Sequence, residues 1–133
     1  MKNTKIFAHR GASGYAPENT MEAFALAMEQ KADGIEIDVQ MTKDGELAVI
    51  HDETVDRVSG AKGKVRDYTM KELKELNVSN GFEEFPQVKI PTLQEVLDLL
   101  KKSDMELNIE LKTGIIWYPG IEEKVLCAVR EAN

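Results

Sequence analysis

Three places in the sequence gather polar residues at the ends of apolar runs. They are His9-Arg10 after Ile6 to Ala8, Glu36 and Asp38 together with His51-Asp52, and Glu110 with Lys112. Protein cores avoid such groups unless they are paired or used. Glu36 and Asp38 lie two apart in a run whose other members, Ile35, Ile37 and Val39, are apolar. On a strand, that spacing puts both carboxylates on one face and the three apolar side chains on the other. Two carboxylates on one face of an inner strand repel each other unless a cation sits between them. On an edge strand the same pair is simply two solvated acids, and these residues alone leave both readings open.

The return strand decides between them. Lys43-Asp44-Gly45-Glu46 separates the first run from Leu47 to Ile50, and Asp-Gly between alternating apolar segments signals a hairpin. With Asp44 and Gly45 as a two-residue turn, Lys43 pairs with Glu46 and Asp38 faces His51. Directly opposed residues share a face, so this register brings His51 beside both acids. The chain has two histidines, and both end apolar strands. A lone strand-end histidine is ordinarily structural. Two of them, one set against a carboxylate pair, fit proton transfer.

Glu110 and Lys112 repeat the same-face spacing on another strand, with Asn108 beside them and Ile109 and Leu111 opposed. Glu110 adds a third hard oxygen donor to Glu36 and Asp38. Three carboxylates with space for waters and substrate oxygens suit Mg²⁺ or Ca²⁺. They do not suit a structural zinc site, which would need more thiols and imidazoles than this chain has. Arg10 and Lys112 are natural phosphate partners, Arg through two parallel hydrogen bonds. The plainer roles for Lys112 are a solvated strand end or an ion pair with Glu110. Acids for a metal, cations for a phosphate and two histidines for proton transfer describe metal-assisted phosphodiester cleavage.

The elements that must position these groups alternate strand with helix. Ile6 to Ala8 reads as a buried strand feeding the loop Gly11 to Gly14. Asn19 caps a helix in a capping-box pattern with Glu22, and Met21, Phe24, Ala25 and Met28 form its inner face. A strand over Ile35 to Met41 and its hairpin partner Leu47 to Ile50 follow. Glu53 to Gly63 reads as a loop. Thr69 with Glu72 and Thr92 with Glu95 open two further helices by capping boxes, the second with Leu93, Val96, Leu97 and Leu100 inward. Asn77 to Lys89 is irregular, and Leu107 to Leu111 alternates as a strand. Pro119-Gly120 precedes a last helix with an apolar stripe of Val125, Leu126 and Val129. Such alternation argues for an α/β fold.

The chain has 133 residues, 42% hydrophobic and 31% charged, with a formal net charge of −7. That is enough for one ordinary domain, and the acidity disfavours nucleic acid and anionic membrane as partners. The single cysteine, Cys127, reads as a small buried apolar residue. The lead-in Met1-Lys2-Asn3-Thr4-Lys5 is polar, and no apolar run suits a signal peptide or membrane span, so a cytoplasmic protein is expected.

At these same residues the chain resembles the glycerophosphodiester phosphodiesterases. The family pattern stands here as His9-Arg10-Gly11, Pro17-Glu18-Asn19-Thr20, Glu36-Ile37-Asp38-Val39, Thr42-Lys43-Asp44-Gly45 and His51-Asp52. It continues as Asp56-Arg57, Ile90-Pro91-Thr92-Leu93 and Glu110-Leu111-Lys112. Several separate motifs in order make the resemblance specific, and it runs over nearly the whole chain. It implies a TIM-type (β/α) barrel of the phospholipase-C-like phosphodiesterase kind. It implies metal binding by Glu36, Asp38 and Glu110, acid/base work by His9 and His51, and phosphate contacts from Arg10 and Lys112. The implied reaction is hydrolysis of a glycerophosphodiester to glycerol 3-phosphate and an alcohol. Glu18 and Asn19 fit the pattern as loop-ordering residues.

A complete barrel of this type needs roughly 200 to 250 residues or more, so residues 1–133 are expected to form a single partial domain, the motif-bearing N-terminal half. Open half-barrel edges favour self-association into a homo-oligomer. The alternative function is a truncated, inactive half-barrel that still binds metal and phosphate. A phosphoinositide phospholipase C or a sphingomyelinase D type barrel shares the histidine-and-metal logic, but the His9 to Thr20 stretch points to the first family. A purely structural role leaves the convergent polar residues without a purpose.

Overall fold

A computed structural model describes residues 4–132; the first three residues of the polar lead-in lie outside them. Strand β1 (Phe7–His9) leads through helix α1 (Met21–Glu29) to the long strand β2 (Gly34–Met41), and β3 (Leu47–Val49) returns along it. Three helices follow, α2 (Asp56–Ser59), α3 (Met70–Lys74) and α4 (Leu93–Leu100), with a 3₁₀ turn at Val65–Asp67. Strand β4 (Glu106–Leu111) and helix α5 (Ile121–Ala132) complete the order.

The sheet is built around β2. Strand β1 pairs parallel with its first part and β3 antiparallel with its last. Strand β4 pairs parallel from Gly34 to Val39, with Asp38 opposite Glu110 and Glu36 opposite Asn108. The Glu36 and Asp38 carbonyls accept from Arg10 and Ile50, and the Val39 carbonyl accepts from Lys112. Carbonyls alternate sides along a strand, so β1 and β3 share one side of β2 and β4 takes the other. The result is a partial α/β sheet of barrel type.

The period of two holds along β2. Ile35, Ile37 and Val39 are fully buried in one core with Phe24 of α1, Leu93, Val96 and Leu97 of α4, and Ile121 and Val125 of α5. That core fixes the helices on the outer face and leaves Glu36, Asp38 and Gln40 on the inner face. A second core, including Ile50, Val55, Val65, Leu73 and Ile90, packs the connection between β3 and α4.

Several elements differ from the reading above. Ile6 and Phe7 are 59% and 38% exposed, because among the described residues only β2 pairs with β1. Thr20, not Asn19, caps α1, accepting a hydrogen bond from the Ala23 amide. The buried face of α1 is Ala23, Phe24 and Ala27 rather than the methionine side, since small residues let the β1–α1 loop lie close. At Gly11, φ is +78° and an added Cβ would stand 2.8 Å from the Ala23 backbone. The stretch read as a loop contains α2, closed by Gly60 in the left-handed region. Thr69 and Glu72 form a reciprocal capping box. Thr92 accepts from the Glu95 amide, while the Glu95 carboxylate takes Lys74 at 2.6 Å. On α5 the inward residues are Ile121 and Val125, and Leu126 is 49% exposed. Cys127 is exposed as well, two positions past the buried Val125.

The hairpin register also differs. Val39 pairs with Val49 and Met41 with Leu47. The Thr42 amide donates to the Glu46 carbonyl and the Gly45 amide to the Thr42 carbonyl. The loop is therefore three residues, Lys43 to Gly45, with Gly45 at φ +78°. That is the alternative three-residue hairpin with a glycine in the left-handed region. The shift of one residue puts Ile50, not His51, against Asp38.

Candidate metal and phosphodiester site

The inner face of β2 meets β4 where Asp38 stands opposite Glu110, and both strands run parallel with their C-terminal ends at the same edge. Oxygens of Glu36, Asp38 and Glu110 lie within 4.8 Å of one another. Asp38 is fully buried. Asn19 donates to its Oδ2 at 2.9 Å, while its Oδ1 and the Glu36 Oε2 are buried without a hydrogen-bond partner among the described residues. Burial, then the neighbouring Asp38 charge, pushes the Glu36 carboxyl above the ordinary glutamate range. Buried carboxylate oxygens that face one another and accept no hydrogen bond are matched by a hard divalent cation. The donor set therefore fits such an ion.

Cations flank the acids. Arg10 Nε is 3.6 Å from Asp38 Oδ2 and its Nη1 is 3.3 Å from Glu18 Oε1. Lys112 Nζ lies 3.0 Å from Glu110 and 3.7 Å from Asp38. Burial works against the Lys112 charge, and the Glu110 and Asp38 carboxylates outweigh it, so the ammonium is held above its usual range. Lys112 in turn lowers the Glu110 carboxyl. The ion pair with Glu110 is thus formed, and Lys112 is only 17% exposed.

His9 ends β1 opposite Glu36, with Nε2 3.5 Å from Glu36 Oε2. His51 follows β3. Its Nδ1 is 2.7 Å from Asp52 Oδ1, and its carbonyl meets the side chain of Gln40, which continues the Glu36–Asp38 face of β2, so His51 stays beside that face despite the shifted register. Arg57, and then His51 itself, draws the Asp52 carboxyl down to about 2. An ionised carboxylate only accepts, so Nδ1 of His51 carries the proton and Nε2 is the nitrogen left for exchange. The His51 backbone is fixed too: its carbonyl accepts from the buried Gln40 side chain at 3.0 Å. Gln40 accepts from the Tyr118 hydroxyl at 2.7 Å, and burial pushes that phenol up to about 12.

All seven site residues expected from the sequence, His9, Arg10, Glu36, Asp38, His51, Glu110 and Lys112, stand along this edge of the sheet. Gln40, Asp52, Arg57 and Tyr118 carry no expected role in the sequence, and Asn19, expected as a helix cap and loop-ordering residue, donates to Asp38 instead. Asn19, Asp52 and Arg57 do lie inside the quoted motifs, which was the available signal. Gln40 is a polar residue continuing the Glu36-Asp38 face. Tyr118 left no trace in the pattern. Arg10 and Asn19 adopt φ of 60° and 54°, a left-handed conformation uncommon for such residues and frequent at functional sites.

Among the described residues no helix is long and apolar enough to cross a membrane. The Glycerophosphoryl diester phosphodiesterase family profile matches residues 9–132. A glycerophosphodiester phosphodiesterase of Caldanaerobacter subterraneus subsp. tengcongensis is 54% identical over 131 residues, 98% of this chain and 54% of the relative. One from Bacillus altitudinis is 59% identical over 124 residues, 92% of this chain and 51% of the relative. The crystal structure of a glycerophosphodiester phosphodiesterase from Agrobacterium tumefaciens superposes with a TM-score of 0.85 at 40% identity, covering 97% of this chain and 53% of that one. An Oleispira antarctica phosphodiesterase in complex with the product sn-glycerol-3-phosphate gives 0.83 at 36%, covering 97% and 51%. The chain thus spans about half the length of these relatives, and its sheet corresponds to part of a TIM-type barrel. By profile, by sequence and by fold, it belongs to the glycerophosphodiester phosphodiesterase family.

Proposed function

We propose that the chain carries the catalytic edge of a metal-dependent glycerophosphodiester phosphodiesterase. The reaction is hydrolysis of a glycerophosphodiester to glycerol 3-phosphate and an alcohol. The observation that carries this reading is the convergence of Glu36, Asp38 and Glu110, with two buried oxygens that accept no hydrogen bond among the described residues. Glycerol 3-phosphate as product is supported by the bound product of the Oleispira antarctica relative.

In this reading Glu36, Asp38 and Glu110 hold Mg²⁺ or Ca²⁺, which when bound supplies Lewis-acid stabilisation of charge on the phosphate oxygens. Arg10 and Lys112 bind the phosphate and turn part of their charge from the acids toward it. His9 accepts the proton of the attacking hydroxyl, from water or from the glycerol 2-hydroxyl. His51, entering the step as the imidazolium with Nδ1–H held by Asp52, gives its Nε2 proton to the leaving alcohol and is left as the neutral Nδ1–H ring. Attack by the glycerol hydroxyl gives a cyclic phosphate that water then opens. The protein is cytoplasmic and takes a small phosphodiester rather than nucleic acid or a bilayer. It self-associates through the open edges beside β1 and β4.

The test is hydrolysis of glycerophosphocholine by the purified chain with Mg²⁺, with Ca²⁺ and with EDTA. Metal-dependent release of glycerol 3-phosphate, abolished in Glu36→Ala, is the expected result, and His9→Ala and His51→Ala should lower kcat while sparing metal binding. No release, with metal still bound by calorimetry, would favour the other reading. The chain would then be an inactive half-barrel that keeps its metal and phosphate contacts, as its half-length match to the relatives allows.

A further inference from the structure

Arg57 sits on the short helix α2, outside the cluster of acids, yet it makes the densest set of charged hydrogen bonds at the site. Its Nη1 and Nη2 donate to the two oxygens of Glu18 at 3.0 and 2.7 Å. Its Nε and Nη2 donate to the two oxygens of Asp52 at 2.9 and 3.0 Å. Four of the five guanidinium N–H donors are thereby spent on two carboxylates. The single N–H that remains is too few for a two-pronged phosphate contact, so Arg57 is not a third substrate cation of the kind expected for Arg10. The plain alternative is a surface ion pair, which is worth little when both partners are solvated. Here the Glu18 and Asp52 side chains are only 15% and 25% exposed, and both pairings are two-pronged.

Each clamped carboxylate has a second partner. Asp52 holds His51 Nδ1, and Glu18 lies 3.3 Å from Arg10 Nη1. Glu18 belongs to the β1–α1 loop and Asp52 to the segment after β3. We propose that Arg57 is a positioning residue that locks these two loops together, setting the His51 ring through Asp52 and the Arg10 side chain through Glu18. A planar guanidinium can hold two carboxylates by two hydrogen bonds each, whereas an ammonium has only three donors on one nitrogen and cannot make both two-pronged pairings. The inference rests on the roles proposed above for His51 and Arg10.

The test reads the His51 tautomer in ¹⁵N-labelled chain by long-range ¹H–¹⁵N spectra. The sequence has two histidines, so His9→Gln assigns the signals. Wild type should show neutral His51 protonated on Nδ1. Arg57→Gln should move His51 toward the pattern of Asp52→Ala, in which the ring has lost its partner, and Arg57→Lys should fail to restore it. With glycerophosphocholine, both Arg57 variants should lose about 10- to 100-fold in kcat, with a smaller rise in KM from the loosened Arg10. An Nδ1–H tautomer unchanged in a folded Arg57 variant overturns the proposal, as does an Nε2–H tautomer in wild type. Arg57→Lys keeps the charge and carries the same test if Arg57→Gln does not fold. The tautomer is read without substrate, so an inactive wild type would refute the proposed reaction and leave this inference to be decided separately.

Discussion

Replacing Asp52 with asparagine removes the carboxylate shared by Arg57 and His51 while keeping its size. The magnitude follows from the environment of the group. Hydrogen bonds from Arg57, and secondarily from His51, bring Asp52 from 3.8 to about 2 in the folded chain, and its side chain is 25% exposed. A depression of that size corresponds to about 2 kcal/mol of stability at neutral pH, taking 1.36 kcal/mol per pKa unit with a discount for partial exposure. The folded-state value lies below the unfolded one, so the contribution is complete above 3.8 and is lost as pH falls toward 2. About half of it should remain at pH 3 and about a fifth at pH 2. Urea unfolding of wild type and Asp52→Asn between pH 7 and pH 2.5 measures the difference directly. The expected gap is about 2 kcal/mol at pH 7, narrowing below pH 4. A gap that is the same at pH 7 and pH 3, or one below about 0.5 kcal/mol at pH 7, would refute the argument that Asp52 is held ionised by Arg57.

Gly11→Ala should destabilise the chain by about 3 kcal/mol in chemical denaturation, because the new Cβ meets the α1 backbone in a left-handed conformation. Tyr118→Phe leaves the buried Gln40 oxygen without its donor and should cost about 1 to 3 kcal/mol in the same assay. Since Gln40 holds the His51 carbonyl, that variant should also lower kcat, whereas Tyr68→Phe, whose hydroxyl donates to the exposed Lys62 carbonyl, should leave it unchanged.

The acidic cluster was legible because it depends on two local rules. Alternation on β2 put Glu36 and Asp38 on one face, and the same rule on β4 put Glu110 on the face of Asn108 and Lys112; the parallel register that sets Glu110 opposite Asp38 then brings the three together. His51 was placed by the wrong register. Asp44-Gly45 fits both a two-residue and a three-residue turn, and the left-handed Gly45 closes the longer one. Asn19 and Thr20 are adjacent capping residues, and the choice between them follows from a distant group, since Asp38 takes the Asn19 amide. The brace formed by Glu18, Asp52 and Arg57 joins positions up to 39 residues apart and leaves no periodic mark. Cys127 and Leu126 looked inward because α5 shows apolar residues on more than one side, and only packing against α4 selects Ile121 and Val125.

Glu36, Asp38 and Glu110 are proposed to form one cation site. Calorimetric titration of the chain with Mg²⁺ and with Ca²⁺ at neutral pH, set against Asp38→Asn and Glu110→Gln, tests it directly. One ion bound per chain, with affinity at least about tenfold weaker in either variant, is the predicted result. Absence of binding in wild type, or binding undiminished when Asp38 and Glu110 lose their charge, would contradict it.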